Sequence, residues 1–155
     1  MAPVVLVRSD HRQGAAAARA LGKLAARFLE ALGQATAEVS IVVTTDRRIR
    51  RINREWRDKD QPTDVLSFPA APLPSQLLSQ RGQPLGDVVI SLDTARRRAK
   101  QEGQPLAEEL ARYLAHGLLH LLGHDHQEPA ETRRMARAEA KLLGGAGMLG
   151  TARRE

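Results

Sequence analysis

His116-Gly117-Leu118-Leu119-His120-Leu121-Leu122-Gly123-His124-Asp125-His126 gathers four of the chain's five histidines into one short run. On a helix, His116 and His120 stand one above the other on the same face, with Cβ atoms roughly 5–6 Å apart, close enough for both imidazoles to reach one ion. Gly123 follows within a turn, where a left-handed conformation ends the helix and lets the chain fold back to bring His126 to the same ion. Three nitrogen ligands suit zinc, and a fourth position left to water separates catalytic zinc sites from structural ones. Zinc lowers the pKa of its water to about 7 and polarises carbonyl or phosphoryl oxygens, so the expected chemistry is hydrolysis. His124 is the weak member of the run and is expected to face solvent or a phosphate. Asp125 either orients a ligand imidazole or serves the turn. His11, alone near the amino terminus, reads as an ordinary surface or core histidine.

The histidine run lies at the end of a helix expected to start near Pro105. Leu110, Tyr113, Leu114, Leu118 and Leu121 form one broad apolar face, and Ala111, Ala115, Leu119 and Leu122 fill the other sides. A helix apolar nearly all round is buried on most faces. Its histidines then need partners for their ring nitrogens, which a metal supplies.

Upstream, Val4 to Val7 reads as a strand and Ala15 to Leu32 as an amphipathic helix with Leu21, Leu24, Ala25, Phe28 and Leu32 inward and Gly33 at its end. Val39 to Thr45 is a β-branched strand. Thr45 or Asp46 caps a short helix on which Ile49, Ile52, Asn53 and Trp56 share the inward face and arginines the outward one. A charged loop from Arg57 delivers Val65 to Phe68 as a strand, and Pro69, Pro72, Pro74, Gly82 and Pro84 mark a long loop. Gly86 to Leu92 is the fourth strand, followed by a helix capped by Ser91 or Asp93 and stopped by Gly103. Pro129 opens a last helix with Met135, Ala138 and Leu142 inward and Gly144 at its end. The expected fold is α+β: a single domain over residues 1–144, a small mixed four-stranded sheet packed with about five helices, one of them a zincin-like helix carrying the metal. Residues 145–155 are expected to be a frayed tail.

The 155-residue chain carries 24 Lys and Arg against 18 Asp and Glu, a net charge of +6, which favours a polyanionic partner such as nucleic acid. It has no cysteine, so disulfides and thiolate ligands are excluded. No apolar run reaches the ~18 residues of a membrane span and no signal peptide is visible, so a cytoplasmic protein with no membrane partner is expected.

Beyond the histidine run, Asn53 to Arg57, Pro62-Thr-Asp-Val-Leu-Ser-Phe-Pro69 and Gly86-Asp-Val-Val-Ile-Ser91 complete four blocks that resemble, in order, the YbeY family of bacterial endoribonucleases of ribosomal RNA maturation. The resemblance covers most of the chain. It implies a single α/β domain with a small mixed sheet, one zinc ion held by His116, His120 and His126, and an arginine important for activity at Arg57. Ribosomal RNA precursors, chiefly of the small subunit, would be the substrate, with the ribosome or assembly proteins as further partners. Phosphodiester cleavage builds negative charge on phosphoryl oxygens, which zinc and a planar guanidinium can each stabilise. Lys59 is expected to be solvated or to touch the RNA backbone, and Thr63 and Ser67 to be turn and strand residues rather than nucleophiles. The general base stays open among zinc hydroxide, His124, Asp125 and the RNA 2′-hydroxyl.

Two other readings compete. The histidine spacing is also similar to that of metzincin peptidases, but those carry Glu after the first histidine as general base, and here that position is Gly117. The third is a non-catalytic ribosome-assembly factor whose metal stabilises the fold. Only four residues are Trp, Tyr or Phe, and Trp56, Tyr113, Phe28 and Phe68 read mostly as core, so backbone electrostatics is expected to dominate over base stacking in any RNA contact with a single strand.

Overall fold

The structure is a computed structural model that describes residues 2–71, 83–124 and 127–147. Its elements are β1 (Val4–Ser9), α1 (Ala15–Ala31), β2 (Ala37–Thr44), α2 (Asp46–Arg57), β3 (Val65–Pro69), β4 (Gln83–Ser91), α3 (Leu92–Glu102), α4 (Leu106–Leu121) and α5 (Pro129–Gly145). The sheet runs β1-β2-β4-β3, with β1, β2 and β4 parallel and β3 antiparallel to β4 at its edge. Among the described residues this is the expected α+β architecture, four mixed strands and five helices.

Side-chain alternation sorts the residues of the sheet to its two faces. Val39, Ile41 and Val43 of β2 and Val88 and Ile90 of β4 join the main core beneath α1 and α4, with Leu21, Phe28, Leu114 and Leu118. Val42, Leu66, Phe68 and Val89 face the other way and meet Ile49 and Ile52 of α2 in a smaller cluster. Three helix ends follow local chemistry. The Thr45 side chain accepts the Arg48 amide at the start of α2, Ser91 accepts the Thr94 amide at the start of α3, and Gly103 takes a left-handed conformation after it.

Several boundaries differ from the sequence reading. Gln83 to Leu85, read as loop, are the first residues of β4, with Gln83 and Pro84 opposite Ala37 and Glu38. A register shift at Glu38 and Val39 then passes over Leu85 and sets Val39 opposite Gly86. Gly86 has φ +134°, and a Cβ there would collide with the Phe68 carbonyl oxygen across the sheet. Leu92, read as strand, is the first residue of α3. The last helix continues through Gly145 to a cap at Ala146, and the rest of the expected tail, from 148 on, lies outside the described residues. Trp56 is the clearest departure: it is 71% exposed rather than part of the core. Along the same stripe Ile49 and Asn53 are buried, so burial lapses at the last turn of α2.

Candidate active site

α4 delivers two of the histidines. His116 and His120 are half-buried one turn apart, with ring centroids 4.7 Å from each other. They line a cleft of about 350 Å³ with Arg57, Thr63, Asp64, Val65, Leu66, Ser67 and Pro69. The floor is built by close approach of α4 to β3 and β4. Ser67 Oγ donates to the Gly117 carbonyl at 3.0 Å, and a Cβ on Gly117 would lie 2.7 Å from Val88 Cγ1 and 3.2 Å from Ser67 Oγ. Only a residue without a side chain lets the helix sit this close to the sheet.

Glu139 of α5 lies against the first histidine: His116 Nδ1 is 2.8 Å from Glu139 Oε2. A carboxylate accepts, so Nδ1 is the donor, and the neutral tautomer that fits this contact has its lone pair on Nε2. The sequence reading missed Glu139. Its signal was a carboxylate beside the inward stripe of Met135, Ala138 and Leu142, on the helix packed against the histidine helix.

Arg57 reaches the cleft through the turn that ends α2. Asp58 caps that helix in the left-handed conformation with φ 58°, and the Lys59 amide donates to the Asn53 carbonyl at 3.3 Å. Buried Asn53 holds the next loop by donating Nδ2 to the Gln61 carbonyl at 2.9 Å. Neighbouring Arg50 and Arg54 are occupied by Asp60, at 2.8 and 3.9 Å. Arg57 is exposed and makes no hydrogen bond or ion pair among the described residues, so its guanidinium is available to a ligand.

Asp64 is engaged on all sides. It accepts from the Val65 amide at 2.7 Å, from Thr63 Oγ1 at 3.3 Å and from Arg98 at 2.7 Å. Its role is to fix the loop that forms one wall. Behind it, burial and then the Glu109 carboxylate push the Tyr113 phenol well above its ordinary pKa, so the phenol stays neutral and Arg98 keeps Asp64 as its anionic partner.

Gly123 ends the histidine helix as expected. Its φ is 95°, its amide donates to the His120 carbonyl at 3.0 Å and the His124 amide donates to the Leu119 carbonyl at 3.0 Å. His124 lines a separate hollow of about 220 Å³ with Glu131 and Arg134. Asp125 and His126 lie outside the described residues, and among the described residues no three His, Asp or Glu side chains converge as a ligand set. Lys59 is exposed. His11 makes ordinary hydrogen bonds, its Nε2 2.8 Å from Asp93 Oδ1 and its Nδ1 accepting the Gln13 amide, and it does not line the cleft.

Comparison with known proteins decides the family. The family described as Endoribonuclease YbeY matches residues 8–147. This chain belongs to the YbeY family. An Anaeromyxobacter protein named endoribonuclease YbeY is 58% identical over 97% of this chain and 76% of its own length. The Myxococcus xanthus protein of that name is 54% identical over 94% of this chain and 49% of its own. In fold, the chain is similar to a Thermotoga maritima protein solved in solution, with TM-score 0.60 and 18% identity over 92% of this chain and 91% of that one.

The four sequence blocks that carry the YbeY resemblance acquire physical reasons here. Asn53 and Arg57 set the loop and the free cation, Asp64 and Ser67 fix the wall to α3 and α4, Gly86 lets β4 pass beneath Phe68, and Gly117 seats the histidine helix. The same glycine weighs against the peptidase alternative. A side chain at 117 would run into Val88, Ser67 and Val65, so the position has no room for the glutamate that a metzincin carries there.

Proposed function

We propose that this chain, an endoribonuclease by family, cleaves phosphodiester bonds of single-stranded ribosomal RNA precursors in the cytoplasm, at a zinc ion held by His116, His120 and His126. The single observation that carries the reading is the cleft itself, where two adjacent imidazoles and an unpaired guanidinium share one wall with β3. The donor chemistry suits zinc. His116 is held in the tautomer that offers Nε2, through its Nδ1 contact with Glu139, and a carboxylate behind a ligand imidazole raises its basicity and fixes its ring. The chemistry such an ion supplies is Lewis acidity at a phosphoryl oxygen and acidification of water.

The chain's own residues do the rest. Arg57 pairs its planar fork with two oxygens of the scissile phosphate and offsets the charge that grows there in the transition state. Its freedom from Asp60, which takes Arg50 and Arg54 instead, supports this role. Asp64, committed to Val65, Thr63 and Arg98, keeps the wall in place while Ser67 ties β3 to α4. Of the candidate general bases, His124 lies in another hollow, which favours Asp125, the RNA 2′-hydroxyl or the hydroxide that a bound zinc would supply.

Chelation followed by metal addition tests the proposal. A strong chelator is expected to abolish cleavage of a single-stranded RNA, zinc to restore it, and the same sequence annealed into a duplex to be cut far more slowly. Cleavage unchanged by chelation would refute the metal site. RNA binding with no turnover under any condition would instead favour the assembly-factor reading.

A further inference from the structure

Trp56 is the chain's one tryptophan, and it stands 71% exposed where its helix period would have buried it. An indole left in water costs burial free energy unless a partner covers it. Its position is specific. It immediately precedes Arg57, and among the described residues its aromatic neighbour is Phe68, at 6.1 Å between centroids with the rings inclined at 64°. Phe68 in turn lies between Ser67 and Pro69, both of which line the cleft. The contact is edge to face rather than stacked, and with 71% of the residue exposed the indole keeps room for a further ring. β3 is the edge strand of the sheet, so a chain leaving the cleft passes round that edge to reach the indole.

We propose that Trp56 is a base-stacking subsite: it holds an unpaired nucleobase of the RNA strand close to the phosphodiester that Arg57 engages. The proposal rests on the endoribonuclease reading and adds a contact to it. A phosphate on the guanidinium places the adjoining nucleotides within reach of the next residue's ring, and an indole face accepts any base, giving affinity without sequence preference. It also explains a preference for single strands, since a paired base has both faces occupied by its own stack. Net charge +6 supplies the long-range attraction, and Trp56 supplies a short-range grip that salt does not screen.

Because Trp56 is the sole tryptophan, its emission reports this contact directly. A short single-stranded 2′-O-methyl oligoribonucleotide, which resists cleavage, is titrated into the zinc-loaded protein, and binding is read both by tryptophan emission and by anisotropy of a labelled oligonucleotide. The expected result is saturable quenching that tracks the anisotropy and is much weaker for the duplex. Trp56→Leu, at an exposed position where folding is spared, is expected to bind about tenfold more weakly and to raise KM for RNA with kcat nearly unchanged, while Trp56→Phe recovers most of the loss. An abasic nucleotide at the stacked position should bring the wild type and Trp56→Leu to equal affinity. Binding without quenching, and with Trp56→Leu equal to wild type, would overturn the subsite and leave a protein partner as the occupant of the indole. No binding by anisotropy at all would overturn both the subsite and the endoribonuclease reading beneath it.

Discussion

Gly117 decides what the histidine helix can do. A Cβ there meets Val88, whose branched side chain is fully buried in β4 and has no free rotamer to yield. Overpacking of this kind costs about 1–3 kcal/mol, against up to about 1 kcal/mol gained from placing Ala rather than Gly in a helix. Gly117→Ala is therefore expected to lower stability in denaturant titration and to reduce cleavage with it, as α4 is pushed off β3. Unchanged stability would mean that the helix and sheet are not held as close as described. Gly117 was visible in the sequence only as a missing catalytic Glu. Its packing role was not, because Val65, Ser67 and Val88 come from strands whose pairing no local pattern reveals. Arg57 stood out by resemblance alone, whereas its physical distinction, being left free while Asp60 takes its neighbours, depends on the turn at Asp58.

At the scale of elements, the starts of α2 and α3 are built as one unit. Asp46 accepts from Ser91 Oγ at 2.6 Å, Thr94 Oγ1 at 2.6 Å and Arg97 at 2.9 Å, while Asp93 accepts the Asp46 amide at 2.9 Å and meets His11. Burial alone would raise the Asp46 pKa, but the hydrogen bonds from Ser91, Thr94 and Arg97 outweigh it and hold the carboxyl below 3.8. A group with a depressed folded-state pKa gives stability that is present above the unfolded value and is lost as pH falls through the folded one. Asp46→Asn is thus expected to destabilise the protein by about 1–3 kcal/mol near neutral pH. The gap from wild type should narrow as pH drops below 3.8, read by urea unfolding across the acid range. A gap independent of pH would place the loss in packing rather than in the carboxylate.

The helix stops at Gly103 and Gly123 and the caps at Thr45 and Ser91 were legible, because each is local chemistry. The His11 to Asp93 contact was not, since it joins residues 82 apart. Trp56 was misread for a related reason: helical period assigns a face, but only the extent of the opposing sheet decides whether the last turn has anything to cover it.

At the scale of the molecule, local pattern pointed to four strands and about five helices, but the order β1-β2-β4-β3 and the antiparallel edge strand β3 are tertiary facts. That order makes the cleft, because it sets β3 at an open edge, beside α4 and next to β4, where Arg57 and the histidines line one hollow. No described helix is long and apolar enough to cross a membrane, and the positive balance of charge draws the chain to polyanions. In the proposed function, metal-ligand and phosphate-binding roles are separate on one cleft. Zinc content and cleavage of a single-stranded RNA, measured together on the purified wild type, His116→Ala and Arg57→Ala, test it most directly. One zinc per chain is expected in the wild type and in Arg57→Ala, with loss of zinc in His116→Ala and loss of cleavage in both variants. Zinc bound equally by all three, or cleavage surviving in Arg57→Ala at the wild-type rate, would contradict it.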